Sequence, residues 1–204
     1  MTITDGYCTL DELKSWLRSS LNLSDAILEA NIESASRMID RFTGHQFYPQ
    51  TSATARVFTA CHLDLIEVDD ISSTTGLIVK TDQNYDGTFE YTWSASTDYQ
   101  LEPLNNLTRG RAVWRIRRKQ FGTYWFPVSD EALVQVTAKW GWPAIPDQVK
   151  TACLIQAARL VNRRDSALGF VQSPEIGSSD RLRAQMDPDA MALLAPFQRH
   201  ETPL

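Results

Sequence analysis

The spacing of apolar residues changes twice along the chain, and this change limits which folds the chain can adopt. Residues 9–44 carry apolar side chains at intervals of three and four, the period of helices with one buried face. Residues 54–139 form short runs rich in β-branched and aromatic residues, separated by turn residues. Residues 147–165 return to the helical period. We therefore predict an α+β fold, with a mainly helical core and an inserted antiparallel β-rich lobe.

Local signals predict where the helices begin and end. Thr9 and Glu12 have the spacing of a capping box, in which each side chain bonds the other residue's backbone N–H. Ser24 is the predicted N-cap of a second helix, and Gly44 would end that helix in a left-handed conformation. Asp187 is the predicted N-cap of a short last helix.

Four segments follow from these patterns. They are an N-terminal helical hairpin (1–53), a β-rich insertion (54–139), a core helix with its Trp-Gly-Trp-Pro start (140–165), and a flexible loop with the C-terminal helix (166–204). Within the insertion, the runs 62–70 and 76–82 read as separate strands, and the turn residues at 84–87 predict a hairpin.

The start of the core helix combines two tryptophans, a glycine and two prolines. We expect the aromatic turn to join the β lobe to the helix, with the glycine permitting a backbone angle that bulky residues resist. The prolines hold the backbone extended and then favour the first helical turn. The residues given this structural role are Trp140, Gly141, Trp142, Pro143 and Pro146.

The core helix is apolar over roughly half of its circumference, and apolar residues extend onto the remainder. Two explanations are open: the helix is the central one of a bundle, or another subunit covers its extra face. The second explanation makes interface candidates of Leu154, Ile155, Ala158 and Val161.

Two further stretches stand out, a basic run at 109–119 and an aromatic run at 120–130. If the basic run is a strand, alternation places Arg109, Arg111, Arg115 and Arg117 on one face. This face could contact phosphates or an acidic neighbour, or it could be the ordinary charged side of a half-buried strand. The aromatic run either belongs to the core or anchors a partner, through Tyr124, Trp125 and Phe126.

No catalytic motif appears in the sequence, so we predict no catalytic residue, cofactor or metal site. The three histidines lie in unrelated contexts, and the best acidic run, at 64–70, is typical of a solvated strand end. The alternative is a metal-dependent hydrolase using Asp64, Glu67, Asp69 and Asp70.

Bulk properties exclude several other classes of protein. The net charge of −5 argues against a free-standing nucleic-acid binder, and three dispersed cysteines favour a reducing cytoplasm. No apolar run reaches the roughly 18 residues of a membrane helix.

Three segments, taken in order, carry a family resemblance. They are the helix exit Ile39–Pro49, the Trp140–Pro146 start with its helix, and the C-terminal Asp187–Pro196. From about Thr9 to Arg199, the chain resembles the head-tail connector (adaptor) proteins of tailed bacteriophages. Two alternatives remain: another neck or tail component, such as a head-closure or tail-terminator protein, and the hydrolase described above.

The resemblance implies a structural protein of the virion neck, assembled from subunits made in the host cytoplasm. Such proteins form a ring, commonly of twelve copies, between the portal protein and a downstream head-closure or tail protein. Packaged DNA passes through the lumen without sequence-specific binding, so we expect the basic run to face a partner or the exterior. The C-terminal segment of such proteins engages the portal, which adds as candidates Phe170, Leu193, Leu194 and Phe197.

Overall fold

The structure is a computed structural model that describes residues 3–17, 24–165, 170–172, 179–181 and 186–199. The chain divides into two compact units, one formed by 1–45 with 145–204 and the other by 46–144. The first unit is built mainly from helices and the second from an antiparallel sheet, which confirms the predicted α+β fold. None of the described helices is long and apolar enough to cross a membrane.

The described residues of the helical unit form four α-helices, and the third packs against the other three. Their bounds are α1 Leu10–Leu17, α2 Asp25–Thr43, α3 Asp147–Asp165 and α4 Pro188–Leu194, followed by a 3-10 turn at Ala195–Phe197. One face of α3 is buried through Val149, Cys153 and Val161, and a second through Ala152. Because these side chains are covered within one copy, α3 is the central helix of a bundle.

Most of the predicted helix boundaries are confirmed. The Thr9 N–H donates to Glu12 Oε2 at 2.7 Å, and the Glu12 N–H donates to Thr9 Oγ1 at 3.2 Å, which completes the capping box. Gly44 ends α2 with a φ of 72°. Ser24 has the extended backbone of an N-cap but makes no capping bond with its side chain. Local chemistry therefore explains the start of α1 and the end of α2.

The start of α4 is held by side chains from α3. The Asp187 carboxylate accepts a hydrogen bond from the Asp189 N–H at 3.0 Å, as predicted for an N-cap. Gln156, fully buried in α3, accepts the Asp187 N–H at 3.0 Å, and Arg159 pairs with the Asp187 carboxylate at 2.9 Å. These bonds fix the position of α4 on the central helix.

The residues before α1 pack onto the helical unit. Tyr7 is buried; its N–H donates to Ser36 Oγ at 3.1 Å, and its hydroxyl contacts the Asp40 carboxylate. Burial raises the pKa of Asp40, although the bonds from Tyr7 and Arg37 act in the opposite direction. The N-terminal segment is therefore part of the bundle's core.

The sheet of the second unit is antiparallel, with strand order β1-β6-β2-β5-β4 and β3 paired to β2. Its strands are β1 Thr54–Phe58, β2 Leu65–Thr81, β3 Tyr91–Trp93, β4 Tyr99–Glu102, β5 Val113–Arg118 and β6 Val134–Trp140. Elsewhere, β7 Phe170–Gln172 pairs with β8 Ser179–Arg181.

Strand β2 is longer than predicted, because the runs 62–70 and 76–82 belong to one continuous strand. Its first part pairs with β5, and its second part pairs with β6 and β3. Register shifts accommodate the Ser-Thr-rich middle that suggested a turn, and Ile71 pairs with both Val113 and Trp140. The hairpin predicted at 84–87 is confirmed between β2 and β3, where Thr81 pairs with Tyr91.

Candidate functional site

Trp140 closes the end of β6 in the sheet unit. Its ring is fully buried, and its indole N–H donates to the Thr54 carbonyl at 2.9 Å. The Arg56 guanidinium lies 4.6 Å from the ring centroid, within reach of a cation–π contact. A buried tryptophan with its N–H satisfied is typical of a structural anchor.

Gly141 follows with a φ of 95°, a conformation that favours glycine. Its N–H donates to the Asp70 carbonyl at 2.8 Å. The next ring, Trp142, is buried and lies 4.8 Å from the Phe47 ring. Of the two prolines, Pro143 is exposed in the sheet unit, whereas Pro146 is half-buried in the helical unit and accepts hydrogen bonds from the first turn of α3.

The arginines of β5 pair with carboxylates of the neighbouring strands. Arg115 lies 2.6 Å from Glu67 of β2, and Arg117 lies 2.7 Å from Glu102 of β4. Burial acts against ionisation of Glu102, but the hydrogen bonds from Arg117 and Gln100 lower the pKa of this carboxyl group. The two positive charges of this strand face are therefore neutralised within one copy.

The first part of the basic run, residues 109–112, lies before β5. Arg109 ends a 3-10 turn, Gly110 follows in a left-handed conformation, and the strand begins only at Val113. Arg109 and Arg111 are exposed beside this turn. The predicted row of four arginines is thus divided by Gly110, because the left-handed residue interrupts the alternation of an extended strand.

The aromatic run is divided between core and surface. Phe126 is fully buried and stacks on Trp93 at a centroid distance of 4.4 Å. Tyr124 is half-buried and contacts Tyr91 and Trp93. Trp125, in contrast, is 47 % exposed. The core explanation therefore holds for Phe126, whereas Trp125 keeps surface that a partner could contact.

Three more apolar side chains of the sheet unit are exposed. Phe121 is 91 % exposed, and Leu63 and Val128 are also largely exposed. Leu63 and Val128 help to line a cleft of about 530 Å³, which Cys61, His62, Asp64, Leu65 and Arg117 complete. We call Leu63, Phe121, Trp125 and Val128 the apolar patch.

The predicted interface candidates of the helical unit also differ in burial. Leu154 and Ile155 of α3 are half-buried, as are Leu193 and Phe197. Ala158, Val161 and Leu194 are buried within one copy. Phe170 lies in β7, and its side chain is outside the described residues.

Burial by the chain's own fold removes four of the predicted interface candidates: Phe126, Ala158, Val161 and Leu194. Their side chains are already covered by the cores of their units, so they offer no surface to a partner. The candidates that keep exposed surface are Leu154, Ile155, Arg111, Arg115, Arg117, Tyr124, Trp125, Leu193 and Phe197.

One exposed aromatic residue was not among the predicted interface candidates. Trp16 of α1 is 48 % exposed and helps to line a cleft of about 660 Å³ in the helical unit. Asp11, Glu12, Ser15 and Leu154 complete this lining. The helical period could have identified this residue, because it places Trp16 outside the apolar stripe that includes Leu13.

The acidic residues of the hydrolase alternative do not converge on one point. Asp64, Glu67 and Asp69 pair with three different arginines, which are Arg118, Arg115 and Arg56 in that order. The side chain of buried Asp70 accepts the Gln46 N–H at 3.0 Å. Each of these carboxylates therefore has a partner of its own, and they do not form a metal-binding set.

A different acidic group gathers in the hairpin loop. Carboxylate oxygens of Asp82, Asp86 and Glu90 lie within 4.8 Å of one another, and such oxygens suit Ca²⁺ or Mg²⁺. This group was not predicted from the sequence, although the Asp-x-Asn-x-Asp-Gly spacing at 82–87 matches the start of a calcium-binding loop. Asp82 accepts three backbone N–H groups of its own loop, which explains its burial without an ion.

Comparison with solved structures places the whole chain in one structural group. It superposes on a chain from the neck of an empty gene transfer agent particle, computed with C6 symmetry, with a TM-score of 0.60 and 16 % identity. That match covers 100 % of this chain and 95 % of the other. No protein-family model matches the sequence, and a search of curated proteins finds no match either.

Two further matches come from the native form of the same particle. A neck chain computed with C12 symmetry gives a TM-score of 0.58 at 15 % identity, over 100 % of this chain and 94 % of that one. A chain of the native virion gives 0.58 at 17 %, over 100 % and 95 %. These matches confirm, at the level of the fold, the resemblance to phage neck proteins. This chain has the fold found in the neck of phage-like gene transfer agent particles.

Proposed function

We propose that this chain is a structural component of a phage-like neck, where copies of it form a ring between the capsid portal and the tail. The observation that carries the proposal is the fold match, which extends over the whole chain and includes neck chains in sixfold and twelvefold assemblies. The helix exit, the Trp-Gly-Trp turn and the C-terminal helix, on which the sequence resemblance depends, all lie in described parts of this fold.

Contacts between copies require surface that one copy leaves uncovered. In the sheet unit we assign this role to the apolar patch, since exposed rings and aliphatic side chains are typical of contact sites. In the helical unit it is assigned to Leu154, Ile155, Leu193 and Phe197. The C-terminal segment 166–204 contacts the portal in this proposal, and only part of it lies within the described residues.

DNA passage requires a lumen that does not retain phosphates, because each neutralised phosphate adds affinity through counterion release. Two features of the chain favour weak binding. The net charge is −5, and Arg56, Arg115, Arg117 and Arg118 each pair with a carboxylate of the same copy. These ion pairs make the four arginines less available to hold DNA in passing.

A structural role without catalysis agrees with the acidic residues described above. The carboxylates of the 64–70 run are held by separate partners, so they cannot act together on one substrate. In this proposal the neck component works through contacts alone.

The test is the assembly state of the purified full-length protein. Native mass measurement and negative-stain images, with and without its portal protein, should show closed rings or a portal complex. Trp125→Ala should weaken this assembly at least tenfold, whereas Tyr85→Ala, which removes a ring that is 56 % exposed in the hairpin loop, should not. A protein that remains a monomer even with portal present would refute the proposal.

A further inference from the structure

Two cysteines far apart in the sequence meet inside the helical unit. Cys8 precedes α1 and Cys153 lies in α3, and their sulfur atoms are 3.5 Å apart across 145 residues of chain. Both side chains are buried, at 4 % and 0 % exposure. The third cysteine, Cys61, is exposed in the sheet unit. The buried pair is therefore positioned for chemistry that Cys61 cannot share.

Cys153 has a polar neighbour on α2 as well as Cys8. Its sulfur lies 3.5 Å from Ser36 Oγ, and Ser36 in turn bonds the Ile32 carbonyl at 2.8 Å. The contact with Cys8 lowers the pKa of the Cys153 thiol, although burial acts in the opposite direction. The same contact, together with burial, raises the pKa of the Cys8 thiol. We assign the first attack on an oxidant to Cys153, because its thiol pKa is lowered whereas that of Cys8 is raised.

We propose that Cys8 and Cys153 form a reversible disulfide that fastens the N-terminal segment to the central helix when the protein meets a peroxide. A disulfide needs a sulfur separation of about 2.05 Å, so the sulfurs must approach by about 1.5 Å. The proposal requires that rotation about the two Cα–Cβ bonds supplies this approach. The inference does not depend on the proposed function.

The oxidation proceeds in two balanced steps with hydrogen peroxide. The Cys153 thiolate attacks one peroxide oxygen, the O–O bond breaks, and the departing hydroxide takes a proton to become water. The sulfenic acid left on Cys153 is then attacked by Cys8 sulfur, which loses its proton as the S–O bond breaks and a second water forms. Together the two thiols lose two electrons and two protons, and one peroxide is reduced to two waters.

Forming this bond would constrain most of the chain. The closed loop runs from Cys8 to Cys153 and contains α1, α2 and the whole sheet unit. Because the gain from a cross-link grows with the length of the loop that it closes, we expect the unfolding midpoint to rise by about 10 °C. A reductant should return the midpoint to its starting value.

The experiment uses the full-length Cys61→Ser variant, so that only the buried pair can react. After treatment with hydrogen peroxide, the protein is unfolded in N-ethylmaleimide and its intact mass is measured. We expect no maleimide adducts, a loss of two hydrogens, one cross-linked peptide joining residues 8 and 153, and a midpoint that rises until dithiothreitol is added. Without peroxide, two adducts should form.

Matched variants separate the disulfide from other oxidation products. Cys61→Ser combined with Cys8→Ser, or with Cys153→Ser, should show no rise in midpoint on oxidation. The wild type controls for the dose, because its exposed Cys61 must be modified under the same conditions. Two maleimide adducts after a dose that fully oxidises Cys61, or a cross-link that leaves the midpoint unchanged, would overturn the proposal. The adduct count and the midpoint of Cys61→Ser protein do not require a variant of Cys8 or Cys153 to fold.

Discussion

The carbonyl oxygen of Tyr48 faces Gly141 so closely that a Cβ added to the glycine would lie 1.9 Å from it. Beside this approach, the Gln50 N–H donates to the Trp140 carbonyl at 2.9 Å. The segment that begins the sheet unit therefore packs against the end of β6. Only a residue without a side chain allows the two backbones to come this close.

Gly141→Ala should destabilise the protein by at least about 3 kcal/mol, because the methyl group meets backbone and the φ of 95° is strained for alanine. Thermal unfolding followed by circular dichroism measures the loss. Gly110→Ala is the matched control: its φ is 70°, but nothing lies within 4 Å of the added Cβ. It should cost only about 1 kcal/mol, and equal losses for both variants would argue against the close approach.

Trp140→Ala should cost about 3–5 kcal/mol, since it empties a fully buried site and removes the hydrogen bond to Thr54. Trp125→Ala removes a ring that is 47 % exposed and should change the stability of one copy by less than about 0.5 kcal/mol. Urea unfolding at low protein concentration separates the two effects. A Trp140 variant as stable as the wild type would exclude the anchoring role.

Glu102→Gln should alter how stability depends on pH. The folded protein lowers the pKa of Glu102 below its usual 4.5, so the unfolded chain binds the proton more readily. The carboxylate therefore contributes stability above about pH 4.5, and this contribution is lost as the pH falls through the lower, folded value.

Because the partner Arg117 is partly solvent-exposed, we expect the variant to lose less than about 1 kcal/mol at pH 7. Urea unfolding at pH 7 and at pH 3 should show this difference shrinking in acid. Arg117→Gln removes the other half of the pair and should give the same trend. A deficit that is constant over the whole pH range would contradict the assignment of the shift to this ion pair.

Glu67→Gln combined with Glu102→Gln should increase binding to duplex DNA, because it leaves Arg115 and Arg117 without these carboxylate partners. If both arginines then contact phosphates, the slope of log affinity against log salt should steepen by about 2. Fluorescence anisotropy at low and moderate salt measures both quantities. Tight, salt-sensitive binding by the wild type that Arg115→Gln and Arg117→Gln abolish would contradict weak DNA binding during passage.

Features set by neighbouring residues were predictable from the sequence. The Thr9–Glu12 capping box and the left-handed Gly44 depend on a few adjacent positions, and both are present as expected. The fold class followed from the period of apolar residues for the same reason.

Features that depend on pairing between distant segments were not predictable. The Ser-Thr-Gly stretch inside β2 has the composition of a turn, yet pairing before and after it makes it an irregularity within one strand. Likewise, the Arg115–Glu67 pair and the meeting of Cys8 with Cys153 require segments that only the folded topology brings together. Burial of Val161 and Phe126 also depended on distant partners, so both residues looked equally suited to a core and to an interface.

The two-sided pairing of β2 has a consequence for how the sheet unit opens. Ile71 is bonded into both halves of the sheet, so neither half can separate from this strand without exposing the core that the other half covers. Hydrogen-bonded amide hydrogens in the paired parts of β2 should therefore exchange with solvent together, at one slow rate set by global unfolding. Under mechanical load, such a unit would resist gradual fraying and yield only as a whole.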